Sequence, residues 1–526
     1  MRLSILSATL IATACTVPLA AMDSHIVGPR ALGLGGAGTA AADDHNASYY
    51  NPGMYGFFNR TGEEDAKLEA DPNYVGRREW GIGFADATVG VEVRGRLADY
   101  VEQIADTDFD KLQDLGSASS SPEDLKAAMA TAALLQTFSA KTDNAVVMAN
   151  VGVLNTRILH VGIGVRQFAE GIVSVADLDT TNLGFGYSVA DLDTAITTTS
   201  TVPGGYTNQL ITPGSAAETA LAGLSVSAAA ISALDLAAVQ AGLTPAQVNE
   251  ILTNGGVLID ALTDATTSAT DINDNQTAVL TGGYTVAEIP LTIGVALNDH
   301  ISVGGNLKLM IGKVAAAKAR LINGVDQLGD LMQDSFEEAE QTVTGAVDLG
   351  IVARCSWAQV GLTGRNLNSP VLKGGSFKDA DGQDFTVDDI TLDPQLSLGV
   401  ALYPFETVVL TADIDVLENQ TTYTTTSQRT GPLMAGIDPK LSITYKTQRV
   451  GGGLEWNVAR FLALRGGYST DLAESEAGGM IHAGLGLNLW LLRFDVAGAM
   501  ATETVIVDGE EMPRAAAVSA GLTMDF

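Results

Sequence analysis

The sequence predicts an all-β protein: a transmembrane antiparallel β-barrel of about fourteen strands, with an N-terminal lumen hatch and helical insertions in its outer loops. Three observations predict it. The closing run Arg514 to Phe526 alternates, with Phe526, Met524, Leu522, Ala520, Val518 and Ala516 on one face and Asp525, Thr523, Gly521 and Ser519 on the other. The links between alternating segments are by turns very short and long. The chain opens on an export leader, and no later segment reaches eighteen uninterrupted apolar residues. A soluble sandwich would share the alternation but has no reason to keep the parity of link lengths.

Met1-Arg2 is a minimal basic start, Leu3 to Leu19 is largely apolar, and Leu19-Ala20-Ala21 ends in small residues. This is a secretory signal peptide over 1–21, cleaved after Ala20 or Ala21. Ala12-Thr13-Ala14-Cys15 loosely matches a lipoprotein box, with Ala12 where Leu is usual, so lipidation of Cys15 is a second reading. After cleavage only Cys355 remains, which excludes a disulfide-stapled scaffold and a thiol–disulfide enzyme. Acidic residues outnumber Lys and Arg 62 to 29, which argues against nucleic acid as a partner.

Residues 22–79 precede the first strand, and 80–526 form the barrel. Within the former, GPRALGLGGAGTAAADDHNASYYNPGMYGFF (28–58) carries Gly33, Gly35, Gly36 and Gly38, then Asp43, Asp44 and Asn51-Pro52-Gly53. No apolar strand precedes these glycines and no helix clearly opens after them, so a dinucleotide fingerprint is excluded. A compact glycine-rich segment in this place fits a plug inside the lumen.

Alternation then marks strands near 80–94, 145–154, 158–168, 279–298, 301–314, 342–355, 357–367, 394–404, 406–416, 446–458, 460–470, 479–490, 491–502 and 514–526. Asn155-Thr156-Arg157, Asn298-Asp299-His300, Ser356, Phe405, Ala459 and the Trp490/Leu491 junction are the tight turns. The intervening links are long, with helical insertions expected at 96–143 and 174–277. Leu97, Val101, Ile104, Phe109, Leu112 and Leu115 recur at near-helical spacing. Thr244-Pro245-Ala246-Gln247 resembles a capped helix start inside the Ala- and Leu-rich 215–270, and a shorter helix is expected over 321–336.

The reverse faces of these strands carry Lys308, Asp348, Arg354, Arg365, Asp413, Asp415, Glu455, Arg465, Arg493 and Asp495, which alternation directs into the lumen. They either pair with one another across strands or bind a ligand carboxylate. Asp379-Ala380-Asp381-Gly382-Gln383-Asp384, near Asp388 and Asp389, resembles a fragment of a calcium loop but lacks the EF-hand Gly and closing Glu, so a solvated acidic loop is expected. The histidines show no ligand spacing, and no metal, cofactor or catalytic residue is expected.

The run ALGLGGAGTAAADDHNASYYNPG (31–53) resembles the N-terminal signature of the FadL-like outer-membrane superfamily. Within it, VGLTGRNLNSP (360–370) and LDPQLSLGVALYP (392–404) are similar to barrels labelled "conjugal transfer TraF-like". The resemblance implies a fourteen-strand barrel with a lumen hatch, in which Gly35, Gly36, Asp43, Asp44, Asn51, Pro52 and Gly53 belong to the gating segment; Gly53 stands where Ala is usual. It implies the cell outer membrane, lipid as surroundings, and passive uptake of small hydrophobic molecules. Other relatives anchor secretion systems without conducting, so an envelope or conjugal-transfer scaffold is the alternative. Leu522, Met524 and Phe526 would be read by the barrel-insertion machinery.

Overall fold

Period-two alternation puts one face of each strand outside and the other inside, and closure removes the sheet edges. The computed structural model describes residues 25–58, 80–95, 97, 144–177, 202–223, 226–240, 245, 248, 276–321, 327–405, 407–426, 440–459, 461–473, 478–489, 491–507 and 510–525. The leader, Phe526, nearly all of 97–116, and Thr244, Ala246 and Gln247 lie outside the described residues.

In chain order the strands are β1 (Trp80–Arg94), β2 (Asn144–Ile158), β3 (Val161–Asp177), β4 (Ala278–Ala296), β5 (Ile301–Arg320), β6 (Thr342–Cys355), β7 (Ala358–Arg365), β8 (Val371–Leu372), β9 (Gly375–Lys378), β10 (Asp384–Val387), β11 (Ile390–Thr391), β12 (Gln395–Phe405), β13 (Val408–Asp415), β14 (Asn419–Thr426), β15 (Lys440–Thr447), β16 (Arg449–Ala459), β17 (Leu462–Asp471), β18 (Gly479–Leu489), β19 (Leu492–Ala501), β20 (Thr504–Val507), β21 (Glu510–Pro513) and β22 (Ala515–Asp525). The described helices are α1 (Pro29–Gly33), α2 (Ala47–Tyr50), α3 (Ala216–Gly223), α4 (Ala228–Gln240) and α5 (Leu328–Glu338).

Fourteen strands close in the order β1-β2-β3-β4-β5-β6-β7-β12-β13-β16-β17-β18-β19-β22. β22 seals the circle by pairing with both β19 and β1, with Met524 opposite Leu492 on one side and Ile82 on the other. Outward positions such as Leu307, Leu309, Val347, Leu349, Ile481 and Val518 are exposed. Trp80, Trp357, Phe405 and Phe461 are exposed at the end that carries the tight turns, as aromatic residues are at a membrane interface.

The structure corrects several boundaries. Asn155-Thr156-Arg157 is not a turn: β2 continues to Ile158, and the reversal falls at Leu159 and His160, with Leu159 at φ 54°. Asn155 and Arg157 are buried lumen residues, so their polarity marks the inner face rather than a loop. β3 and β5 run well beyond 168 and 314, to Asp177 and Arg320. The helix expected from 321 begins at Leu328 in the described residues.

Connections read as irregular also hold strands. β15-β14-β10-β9 form a four-stranded sheet built from two separate loops, and β20 and β21 form a hairpin. Asp235 fastens another connection: its carboxylate accepts from Tyr206 Oη at 2.6 Å and from the Gln209 and Leu210 amides at 2.8 and 2.7 Å.

The wall is uneven in height. β4 and β5 have 19 and 20 residues, whereas β7 and β13 have eight each. The extra length stands at the long-loop end. There Lys313 donates to the Phe336 carbonyl at 2.8 Å, and α5 covers the outer face.

Candidate functional site

Residues 25–58 lie within the barrel, touching inward-facing residues around its circumference. His45 meets Gly83 of β1, Asn46 accepts from Arg166 of β3 at 2.6 Å, and the Ser48 carbonyl accepts from Asn306 of β5 at 2.6 Å. The Gly38 and Thr39 amides donate to Asp413 of β13 at 2.8 and 2.7 Å. Arg493 of β19 donates to Asp44 at 2.8 Å.

Glycine makes this closeness feasible. A Cβ on Gly350 would come within 2.1 Å of Asn51 Oδ1, on Gly304 within 2.2 Å of the Pro52 carbonyl oxygen, and on Gly451 within 2.0 Å of the Gly35 carbonyl oxygen. Backbone of the segment therefore rests on bare backbone of the wall. Gly35 itself adopts φ 71° and faces the Gly452 and Tyr468 carbonyl oxygens, each 2.6 Å from an added Cβ.

Asn51 caps the short 3-10 turn 52–56: its Oδ1 accepts from Gly53 N at 2.9 Å, and its Nδ2 donates to the Thr39 and Ile351 carbonyls, both at 3.1 Å. One side chain thus ties two stretches of the segment to β6. Pro52 begins the turn, where a missing N–H costs nothing.

The lumen charges group into networks. Arg30 pairs with Asp43 and with Glu455 (2.8 Å); Arg465 joins Glu455 (2.7 Å) to Asp495 (2.6 Å); Arg493 joins Asp495 to Asp44, both at 2.8 Å. Elsewhere Lys308 bridges Glu288 and Asp348 at 3.0 Å each, and Arg365 stacks on Tyr49 at 3.7 Å. Arg354 stacks on Phe57 at 3.8 Å. Asp415 accepts from Ser397 at 2.9 Å. The charges singled out from alternation therefore face inward, and most engage the inserted segment as well as neighbouring strands.

Burial by itself would raise the Asp44 carboxyl; His45, Arg493 and Arg30, with the Asn46 amide, outweigh it and hold Asp44 well below its ordinary value. A depressed folded-state value makes the stabilisation complete above the unfolded pKa of about 3.9, and it is lost only as pH falls toward the folded value. The Asp44–Arg493 link is accordingly intact throughout neutral and mildly acidic pH.

Arg30, Asp86, Arg166 and Glu288 are site residues that strand alternation misses. Asp86 falls on the apolar face by simple counting, but the irregularity between Phe84 and Ala87, with Ala85 at φ 47°, turns it inward. There Asp86 sits 3.7 Å from both His45 Nε2 and Arg166 Nη1. A polar residue out of step with its strand was the available signal.

The four-stranded sheet closes the other end of the lumen. Tyr423 of β14 donates to Glu170 of β3 at 3.0 Å and lies 6.4 Å from the Tyr284 ring of β4. The Arg94 guanidinium covers Tyr445 at 4.0 Å and donates to the Lys446 carbonyl at 2.6 Å. A Tyr423→Phe substitution leaves buried Glu170 with one donor fewer. It should cost about 1–3 kcal/mol, read as faster proteolysis within 419–447 while the barrel stays resistant.

Between segment and wall a cavity of about 40 Å³ is lined by His25, Tyr49, Arg365, Asp413 and Arg449 among others. It has room for water rather than for an organic ligand. Among the described residues no group of three His, Cys, Asp or Glu side chains could hold a metal ion, and the 379–384 loop is organised internally, with Asp379 Oδ1 accepting from Asp381 N and Gln383 N.

A closed antiparallel barrel with an apolar exterior and a filled polar lumen defines the chain as a β-barrel of the membrane-spanning kind. Residues 49–415 match the family described as "F plasmid transfer operon, TraF, protein", and the chain belongs to that family. Among solved structures it is similar to the Pseudomonas putida toluene transporter TodX, at 11% identity over 96% of this chain and 98% of that one, TM-score 0.42. It is also similar to a Pseudomonas aeruginosa FadL homologue, at 10% identity over 95% and 98%, TM-score 0.41. The CymD monoaromatic hydrocarbon channel gives 10% identity over 95% and 97%, TM-score 0.41. No curated protein matches the sequence significantly.

Proposed function

We propose that the chain is an outer-membrane barrel through which small hydrophobic molecules pass by diffusion, with residues 25–58 acting as the hatch. The observation that carries this reading is a lumen segment seated by non-covalent contacts alone, many of them backbone against wall glycine. Such a seat is specific yet releasable. The wall beside it is irregular: β2 shifts register between Gly152 and Leu154, and Pro290 of β4 has no N–H to donate. Both features weaken the ladder where a ligand would leave sideways.

A second reading, a non-conducting scaffold for envelope or conjugal-transfer assembly, is favoured by the sheet that rests across the lumen and by the small cavity left between segment and wall. Reconstitution in liposomes separates them. Uptake of a fluorescent fatty acid should be saturable and should rise in a deletion of 28–53, while Asn51→Ala should alter its rate. Absence of saturable binding or passage in every form would remove the uptake reading and leave the scaffold. Membrane insertion is checked separately: the folded barrel should migrate anomalously on unheated gels, and external protease should cut within 178–277 while sparing the strands.

A further inference from the structure

We infer that the two halves of the hatch, joined to each other through the Asn51–Thr39 hydrogen bond, are held to the wall by different means, and that the half from Arg30 to Asp44 is latched there by a closed ring of charge. The inference rests on reading 25–58 as a hatch, but not on what passes through the barrel. The ring runs Asp43–Arg30–Glu455–Arg465–Asp495–Arg493–Asp44. It begins and ends on adjacent residues of the segment. Each arginine bridges two carboxylates, and each wall carboxylate bridges two arginines. Glu455, Arg465 and Asp495 are all at most 7% exposed.

Four carboxylates face three guanidinium groups, and removal of a wall carboxylate leaves two arginines with one charged partner fewer each. That is the situation in which an ion pair matters most, because the survivor has already lost its water. The ring is also cooperative in a mechanical sense. Asp495 lies between both wall arginines, and those arginines lead to opposite ends of the 30–44 excursion. Loss of one wall carboxylate therefore loosens both ends at once.

The second half, NPGMYGFF (51–58), contains no ionised side chain. It is held by Ser302 Oγ donating to the Gly53 carbonyl at 2.6 Å, by Asn51 on β6, and by Tyr55 packed over Gly162 and Gly294. Phe57 and Phe58 lie under Arg354 and Arg157. Close apolar and backbone packing of this kind does not depend on the charge state of β16–β19. Both halves rest on wall glycines, but only one is tied by ion pairs to the wall.

Hydrogen exchange of the detergent-folded mature barrel tests this. In Asp495→Asn, amides of 30–44 should exchange at least about tenfold faster than in the wild type, with 51–58 unchanged. Tyr55→Ala should give the converse, with 51–58 faster and 30–44 unchanged. Arg493→Lys, which keeps the charge but not the fork that joins Asp495 to Asp44, supplies a milder form of the first pattern if Asp495→Asn does not fold. Equal acceleration of both halves, or none in 30–44, would overturn the inference. Fatty-acid passage in liposomes is a separate readout, so a barrel that conducts nothing would still decide the matter of the latch.

Discussion

Replacing Asp413 with alanine should destabilise the seat of residues 38–39 by about 3–5 kcal/mol, because two buried amide donors lose a charged acceptor together. The Gly38 and Thr39 amides both point at Asp413 Oδ2, at 2.8 and 2.7 Å, at the turn that precedes the acidic pair. Nothing else in this contact compensates, since Gly399, the neighbouring wall residue on β12, has no side chain to offer. Asp413→Asn keeps an acceptor oxygen in place and should cost only about 1 kcal/mol, the difference between a charged and a neutral acceptor. The measurement is urea unfolding in detergent combined with amide exchange of 36–42. Equal behaviour of the two variants would show that the carboxylate is not what holds the turn.

Gly350→Val should have an effect of comparable size by the opposite route, adding atoms rather than removing a bond. The first new carbon would stand 2.1 Å from Asn51 Oδ1 and 2.9 Å from Pro52 Cδ. Neither can move freely, since Asn51 holds three hydrogen bonds and Pro52 has a fixed φ. Displacement of the 51–53 turn is the only relief, at a cost of about 3 kcal/mol or more. Gly466→Ala is the matched control, because a Cβ there meets nothing within 4 Å. Thermal unfolding on semi-native gels and exchange of 51–58 should separate the two; a Gly350 variant as stable as the Gly466 variant would mean the turn is not seated on β6.

The wall was legible because its physics is local. Lipid outside and polar groups inside impose period two, and strands such as β17 and β18 carry that period without interruption. Legibility failed where the period slips. At Ala85 and between Gly152 and Leu154 one extra residue moves every following side chain to the other face, so simple counting along β1 does not lead to Asp86, and Asn155, an inner-face residue, reads as part of a turn. The accessory sheet failed for another reason. Lys440–Thr447 does alternate, but Tyr445 turns toward Met148 and Arg94 instead of toward lipid. Alternation records that a face is apolar, not what will cover it.

Within the site, the direction of the charges was readable and their partners were not. Glu455, Arg465, Arg493 and Asp495 could be assigned to the inner face from neighbours in sequence. Their closure through Arg30, Asp43 and Asp44 depends on a segment more than four hundred residues away, which only the curled wall brings into reach. Asn51 lay between these cases: the resemblance placed it in the gating segment, while its bond to Ile351 had no local trace.

The unequal height of the wall has a consequence for how the mouth is held. The four-stranded sheet springs from connections on the low side, between β7 and β12 and between β13 and β16, and leans across to rest on β3–β5. It joins the wall near Gln448 on one side and touches it at Glu170 and Tyr284 on the other. With Arg94 covering Tyr445 as well, the sheet is braced like a strut between the tall and the low sides of the mouth, so that it holds the two banks of the wall at a fixed distance.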